Sequence, residues 1–362
     1  MSNNRQHIWP GSRPSPRNQW YVAAFDDEVT ATPLARMILG DRIALYRTED
    51  GEAVALADYC AHRAMALSKG KRVAGDRLQC PYHGLEFGRD GACRHVPSQD
   101  TVPKDMRVRT YPLARRWKWI WIWMGDAEQA DESLIPDHSA FWFDDQSDFW
   151  KVKLWRMELA CNAQLIQENL LDVSHVTFLH EGAVDNGSLA TVPTRTTVEG
   201  NVITSMRQWD DEMAGIYAQT FGIADGSRVN RTNIAKTYVP SLNISINRFA
   251  HLDRDEPEKI LVAPMGITPE TDASCHYFFA LGANYGDEPE GEMLEMRAKG
   301  LWNVVLEDRV AVEYIQQAYL KFGAETPDHS LRADQAALYY RHLLTKLVEE
   351  EAGEEAGKPP AG

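Results

Sequence analysis

Between about residues 20 and 125, apolar positions recur with the two-residue period of strands rather than the 3.6-residue period of helices. Ile43-Ala44-Leu45-Tyr46 and Val54-Ala55-Leu56 flank a turn at Glu49-Asp50-Gly51, and Leu85-Glu86-Phe87 meets Ala92-Cys93 across Arg89-Asp90-Gly91. Two hairpins are predicted there. Trp117, Trp119, Trp121 and Trp123 alternate, which places them on one face of a strand as core packing. From Ala127 to Asp148 the chain turns acidic and irregular around Pro136 and Asp137, and a domain boundary is expected there. Beyond it the pattern predicts a helix near Asn162 to Phe178 and strands at Val202 to Arg207, Leu242 to Arg248 and Cys275 to Leu281. Long helices follow from about Glu292 to Phe322 and Ser330 to Glu351. Strands grouped between helices, rather than alternating with them, indicate the α+β class. There is no internal repeat.

Composition narrows the picture. The 362 residues suffice for two domains, and 44% hydrophobic content with 11 Trp supports a sizeable core. Five Cys are too few and too unevenly spaced for a disulfide scaffold, so Cys93, Cys161 and Cys275 are read as buried thiols. Met1 to Asn18 lacks the apolar run of a secretory signal. No stretch reaches the roughly 18 apolar residues of a membrane span. A soluble, reducing, cytoplasmic setting is expected. A net charge of −15 argues against nucleic acid. From Cys60 to Lys118, however, thirteen Lys or Arg face five Asp or Glu, which suggests either a patch for an acidic electron carrier or scattered solvated charge. Glu349 to Gly362 reads as a solvated, disordered acidic tail.

Four residues carry the clearest chemistry. Cys60 and His62 form Cys-x-His, and after seventeen residues Cys80 and His83 form Cys-x-x-His. This split pair suits a Rieske [2Fe–2S] centre, with one iron held by both Cys and the other by both His. Neutral imidazoles in place of two thiolates raise the cluster potential to roughly −150 to +300 mV. Pro81 and Gly84 supply the tight turn that such a loop needs. A structural zinc site is the alternative, although zinc fingers usually keep Cys with Cys and His with His.

A second constellation lies in Glu168 to His180. On an unbroken helix Glu168, Asp172 and His175 share one face, whereas His180 sits about 140° from His175. Both imidazoles reach one metal only if the helix loosens or ends near Val176 to Leu179. Two unrelated surface histidines are the alternative. Farther on, Val304, Val305, Ala311, Val312, Ile315 and Tyr319 lie at helical spacings around Asp308 and put its carboxylate on the buried face. A lone charge there would cost several kcal/mol unless a cation meets it. Two His and one carboxylate on one side of Fe(II) leave the other positions open for O2 and substrate. An ion pair with Arg309 or another base is the alternative for Asp308.

The two Cys/His loops, Asp172-x-x-His175-x-x-x-x-His180 and the late Asp308 resemble the oxygenase component of Rieske non-haem iron oxygenases, in the vanillate and dicamba O-demethylase group. Asn18-Gln19-Trp20-Tyr21-Val22-Ala23 and Glu307-Asp308-Arg309-Val310 are similar to vanillate demethylases. Thr268-Pro269-Glu270-Thr271 and Ala273-Ser274-Cys275-His276-Tyr277-Phe278-Phe279 are similar to the dicamba enzyme.

The resemblance implies an extension at 1–18, a Rieske [2Fe–2S] β domain at 19–127, and a catalytic helix-grip domain with a central antiparallel sheet at 128–348. It implies a cluster on Cys60, His62, Cys80 and His83, and Fe(II) on His175, His180 and Asp308. It further implies a ring-shaped homotrimer, in which Asp172 bridges His175 and a neighbouring subunit's His83. Asn169 would support the iron site, and Leu170, Val173 and Ala280 would line the substrate pocket. With no dinucleotide fingerprint in this chain, electrons would come from a separate ferredoxin and NAD(P)H-dependent reductase. The expected reaction is O- or N-dealkylation of a small aromatic compound with O2. Aromatic hydroxylation without dealkylation is the alternative, and a bare Rieske electron carrier is the remaining one.

Overall fold

A computed structural model of the chain describes residues 15–137, 150–285 and 292–357. It divides into two compact units, Arg17–Ile135 and a second built on Pro136–Gly362. Most of the expected 1–18 extension lies outside the described residues.

The first unit contains three small antiparallel sheets. One has the order β1 (Trp20–Phe25), β10 (Trp119–Trp123), β9 (Leu113–Arg116). The next is β2 (Leu34–Ile38), β3 (Asp41–Arg47), β4 (Ala53–Ala57). The last runs β5 (Lys71–Val73), β6 (Arg77–Gln79), β7 (Glu86–Phe87), β8 (Cys93–His95). Alternation in β10 sends Ile120 and Ile122 into the main core of this unit, while Trp119, Trp121 and Trp123 are fully buried on the other face. Trp117 does not share that strand, because it and Lys118 both have positive φ in the turn from β9. The unit runs past the expected end at 127. Trp20 Nε1 donates to the Asp131 carbonyl at 2.8 Å and Ile135 is buried, so the segment after β10 packs back on its own sheet.

The second unit is built on one seven-stranded antiparallel sheet. Its order is β11 (Trp150–Leu159), β17 (Ser274–Ala283), β16 (Lys259–Thr271), β15 (Leu242–His251), β14 (Arg228–Tyr238), β13 (Val202–Glu212), β12 (Arg195–Glu199). Helices α1 (Ala163–Leu171), α2 (Val176–Leu179), α3 (Gly215–Phe221), α4 (Glu292–Phe322) and α5 (Gln335–Gly357) complete it. The core joins Tyr217 and Phe221 of α3 and Val305 and Val312 of α4 to Phe249, Met265, Tyr277 and Phe279 of the sheet.

Two expectations are corrected. The helix foreseen from Asn162 to Phe178 is broken: Asp172 is extended (φ −104°, ψ 95°), ending α1 and capping a 3-10 turn at Val173–His175. Glu168, Asp172 and His175 therefore do not share a face. Glu168 instead turns to Arg341 of α5, with both carboxylate oxygens 2.6 Å from the guanidinium. The acidic tail is the second case, since α5 stays helical to Gly357. Glu and Ala are strong helix formers, and Lys346 and Glu350 pair at i, i+4. Residues 358–362 lie outside the described set. Among the described residues, no helix is long and apolar enough to cross a membrane.

Candidate functional site

The two Cys/His loops fold congruently. In the first, Cys60 N–H donates to Met65 O at 2.8 Å and Ala64 N–H to Cys60 O at 2.8 Å. In the second, Cys80 N–H donates to Leu85 O at 2.8 Å and Gly84 N–H to Cys80 O at 3.1 Å. The fourth residue after each Cys takes a left-handed φ, 53° at Ala64 and 73° at Gly84. A Cβ at Gly84 would also lie 3.0 Å from Pro97 Cγ, so glycine meets two requirements there. Cys60 and Cys80 are buried, whereas His62 and His83 are exposed with ring centroids 4.7 Å apart. Burial and the adjoining Cys80 push the Cys60 thiol up to about 11. A metal must therefore supply the drive to a thiolate.

The surrounding positive charge is smaller than its sequence count. Arg72, Arg77, Arg89, Arg94, Arg109, Arg115 and Arg116 each pair with a carboxylate. Arg63, beside His62, stays exposed at the loop edge.

In the second unit, His175, His180 and Asp308 bring one ligand atom each to within 4.8 Å of one another. The break at Asp172 makes this possible. His175 ends the 3-10 turn and His180 follows α2 as its C-cap, so five residues of broken helix replace the 140° offset of a straight one. Asp308 comes from the middle of α4. His175 Nε2 and His180 Nε2 lie 3.3 and 3.1 Å from Asp308 Oδ1, and Asn169 Nδ2 donates to the same oxygen at 3.0 Å. The other ring nitrogens are occupied: His175 Nδ1 by the Asp172 carbonyl at 2.6 Å, and His180 Nδ1 by Glu307 Oε2 at 2.7 Å. Burial pushes the Asp308 carboxyl up, but hydrogen bonds from both imidazoles outweigh it and hold the group at about 2. Burial pulls His180 down, while Asp308 and Glu307 together raise it above its ordinary value.

Asp172 approaches His175 through its main chain and not through its carboxylate. That carboxylate accepts from Ser174 N and Oγ at 2.9 and 2.8 Å and lies 3.7 Å from buried Arg207. Asp172 must cap the 3-10 turn, and this turns its side chain away from the imidazole.

A cavity of about 130 Å³ opens beside the triad. Leu170 and Val173 line it, with Met265, Tyr277 and Phe279 of the sheet. Ala280 does not. It follows Phe279 on β17, so the two-residue period turns it to the opposite face. Polar lining residues that escaped the sequence reading include Arg231 and Asn233 of β14, and Ser245 and Asn247 of β15. Their signal was present, because Val229, Arg231, Asn233 and Ala235 alternate in phase on the buried side of one strand. Glu307 was also missed, although it adjoins Asp308.

Two family models match the chain. The Rieske [2Fe-2S] domain matches residues 19–112, and the vanillate O-demethylase oxygenase C-terminal domain matches residues 159–350. The chain belongs to the vanillate O-demethylase family of Rieske oxygenase components. This oxygenase component is 34% identical over 345 residues to the dicamba O-demethylase oxygenase component of Stenotrophomonas maltophilia, covering 93% of this chain and 98% of that protein. It is 31% identical over 342 residues to the chloroacetanilide N-alkylformylase oxygenase component of Rhizorhabdus wittichii, covering 92% and 96%. Dicamba monooxygenase bound to 3,6-dichlorosalicylic acid superposes on the oxygenase component with a TM-score of 0.85, at 31% identity over 93% of this chain and 98% of that one.

Proposed function

We propose that this oxygenase component removes an alkyl group from a small aromatic compound by oxidation with O2. The observation that carries the reading is the triad of His175, His180 and Asp308 opening on a mostly apolar cavity. Curated relatives named as O-demethylase and N-alkylformylase components support it. So does a solved dicamba monooxygenase described with non-heme iron.

The donor set fits Fe(II). Both Nε2 atoms converge on one buried carboxylate oxygen, and both Nδ1 atoms already have partners, so the ring nitrogens facing the site are free to ligate. His175, His180 and Asp308 would hold the ion, and Cys60, His62, Cys80 and His83 the cluster. Bound iron would supply O2 activation at its open positions. The residues of the chain do the rest. Asn169 holds the Asp308 carboxylate in place, Asp172 O and Glu307 fix the two rings, and Leu170, Val173 and Phe279 exclude water around the alkyl group. One oxygen of O2 enters the C–H bond, and two electrons and two protons reduce the other to water. The resulting hemiacetal or hemiaminal breaks its C–O or C–N bond to give a phenol or amine and an aldehyde.

Electrons come in this reading from a ferredoxin and an NAD(P)H-dependent reductase in a reducing, cytoplasmic compartment. The oxygenase works as a homotrimer, with electrons from a neighbouring subunit's cluster reaching the iron site by way of Asp172, whose main-chain carbonyl meets His175 Nδ1. Exposed apolar residues on α4, Val310 and Tyr314 among them, suit such subunit contacts. Light scattering of the purified protein tests the trimer directly.

The function is tested by screening aromatic ethers and N-alkyl amides with a surrogate reductase, scoring aldehyde against oxygen uptake. Stoichiometric aldehyde is expected from at least one class. Coupled oxygen uptake that yields only ring-hydroxylated product would replace dealkylation with hydroxylation.

A further inference from the structure

The sheet side of the cavity carries a polar chain that the triad does not use. Asn233 and Asn247 are direct cross-strand partners on β14 and β15, and Arg231 precedes Asn233 on the same face. Arg231 Nη2 donates to Asn247 Oδ1 at 3.0 Å, and Asn233 Nδ2 donates to that same oxygen at 3.1 Å. Arginine has donors only, so the Asn247 atom facing it must be the oxygen, and Asn233 must then present its NH2 group. Both amides are thereby fixed. Asn247 Nδ2 and Asn233 Oδ1 remain, with no protein partner among the described residues, on two side chains that line the cavity.

Arg231 itself is not available as an anion receptor. Its charge is met by Asp211 at 4.0 Å, with each side chain only 2% exposed, and Tyr217 and Asn186 hold Asp211 in turn. The rings of Trp209, Tyr217, Phe221 and Phe249 surround its guanidinium at 4.7 to 5.5 Å. Such a group is locked and neutralised. It orients the amides.

We propose that Asn247 and Asn233, held by Arg231 as a positioning residue, are the specificity anchor of this cavity, selecting an uncharged aromatic carboxamide over an aromatic carboxylate. The substrate carbonyl accepts from Asn247 Nδ2, and an amide N–H, where present, donates to Asn233 Oδ1. A carboxylate would satisfy Asn247 but set its second oxygen against Asn233 Oδ1, with no spare cation to offset the repulsion. The proposal rests on the reading that this cavity receives the substrate.

Calorimetric titration of anaerobic, iron-loaded protein with benzamide, whose carbonyl and one N–H share an edge, benzoate and isopropylbenzene tests it without turnover. The amide is expected to bind about ten-fold or more tightly than either other ligand. Asn247→Asp keeps an oxygen toward Arg231 and Asn233 but replaces the NH2 donor. It is expected to abolish the amide preference while leaving the circular dichroism spectrum unchanged. Asn247→Leu, which removes the anchor altogether, is expected to give the same loss of preference. Benzoate binding as tightly as the amide, or an amide preference that survives Asn247→Asp, would overturn the proposal. Because only binding is read, a failure of dealkylation in the aldehyde screen leaves this result separately interpretable.

Discussion

His180 Nδ1 lies 2.7 Å from Glu307 Oε2, so the residue beside the proposed iron ligand Asp308 fixes the other ring of the triad. Glu307 accepts the Nδ1 proton, which leaves the Nε2 lone pair for a metal. Consecutive helical residues thus serve one imidazole from two sides, one carboxylate half exposed and the other buried.

Removal of that acceptor is expected to loosen the site. Glu307→Leu should weaken Fe(II) binding about 10- to 100-fold, and Glu307→Gln, which keeps an acceptor oxygen, should weaken it less. Chelator competition measures both. Equal affinities for the wild type and the Leu variant would exclude a supporting role for Glu307.

The metal-free protein should depend on pH at this site. His180 is raised above its ordinary value, so the stability it contributes is present at pH below that value and lost as pH rises through the raised one. Asp308 is depressed to about 2, so its contribution, about 2 kcal/mol, is present above the ordinary carboxylate range and lost as pH falls toward 2. Urea unfolding of chelator-treated protein across pH, compared with His180→Gln, checks the alkaline limb. Asp308→Asn checks the acid limb. Fe(II) affinity should also rise with pH through the His180 transition, because the ion displaces a proton.

Glu168 and Arg341 join α1 to α5 through two contacts of 2.6 Å, with little exposure on either side. Arg341→Met strands the carboxylate and should cost about 3 to 5 kcal/mol of unfolding free energy. The Glu168→Gln, Arg341→Met pair should recover part of that loss. If the single variant unfolds at the wild-type urea concentration, the pair contributes nothing to the fold.

At the cluster, His62→Cys would add a thiolate charge. Protein-film voltammetry should find the midpoint potential displaced toward about −400 mV, the range of all-cysteine plant-type ferredoxins. An unchanged potential would remove His62 from the coordination sphere.

The chain alone determined what depends on neighbours in sequence. The two Cys/His loops were legible because each Cys and its His share one short turn, and α4 ran as foreseen from Glu292 to Phe322 because its apolar period is local. The burial of Asp308 followed from that same period. Tertiary structure decided the rest. Asp172 breaks α1 because its carboxylate caps the following turn, and its choice of Ser174 and Arg207 over His175 depended on β13 lying nearby. Ala280 faces away, and Arg231, Asn233 and Asn247 meet, because the pairing register of β14 with β15 and the facing of β17 are set by long-range contacts. No periodicity within a single segment encodes which strand will lie opposite, and that pairing is what brings the amides together.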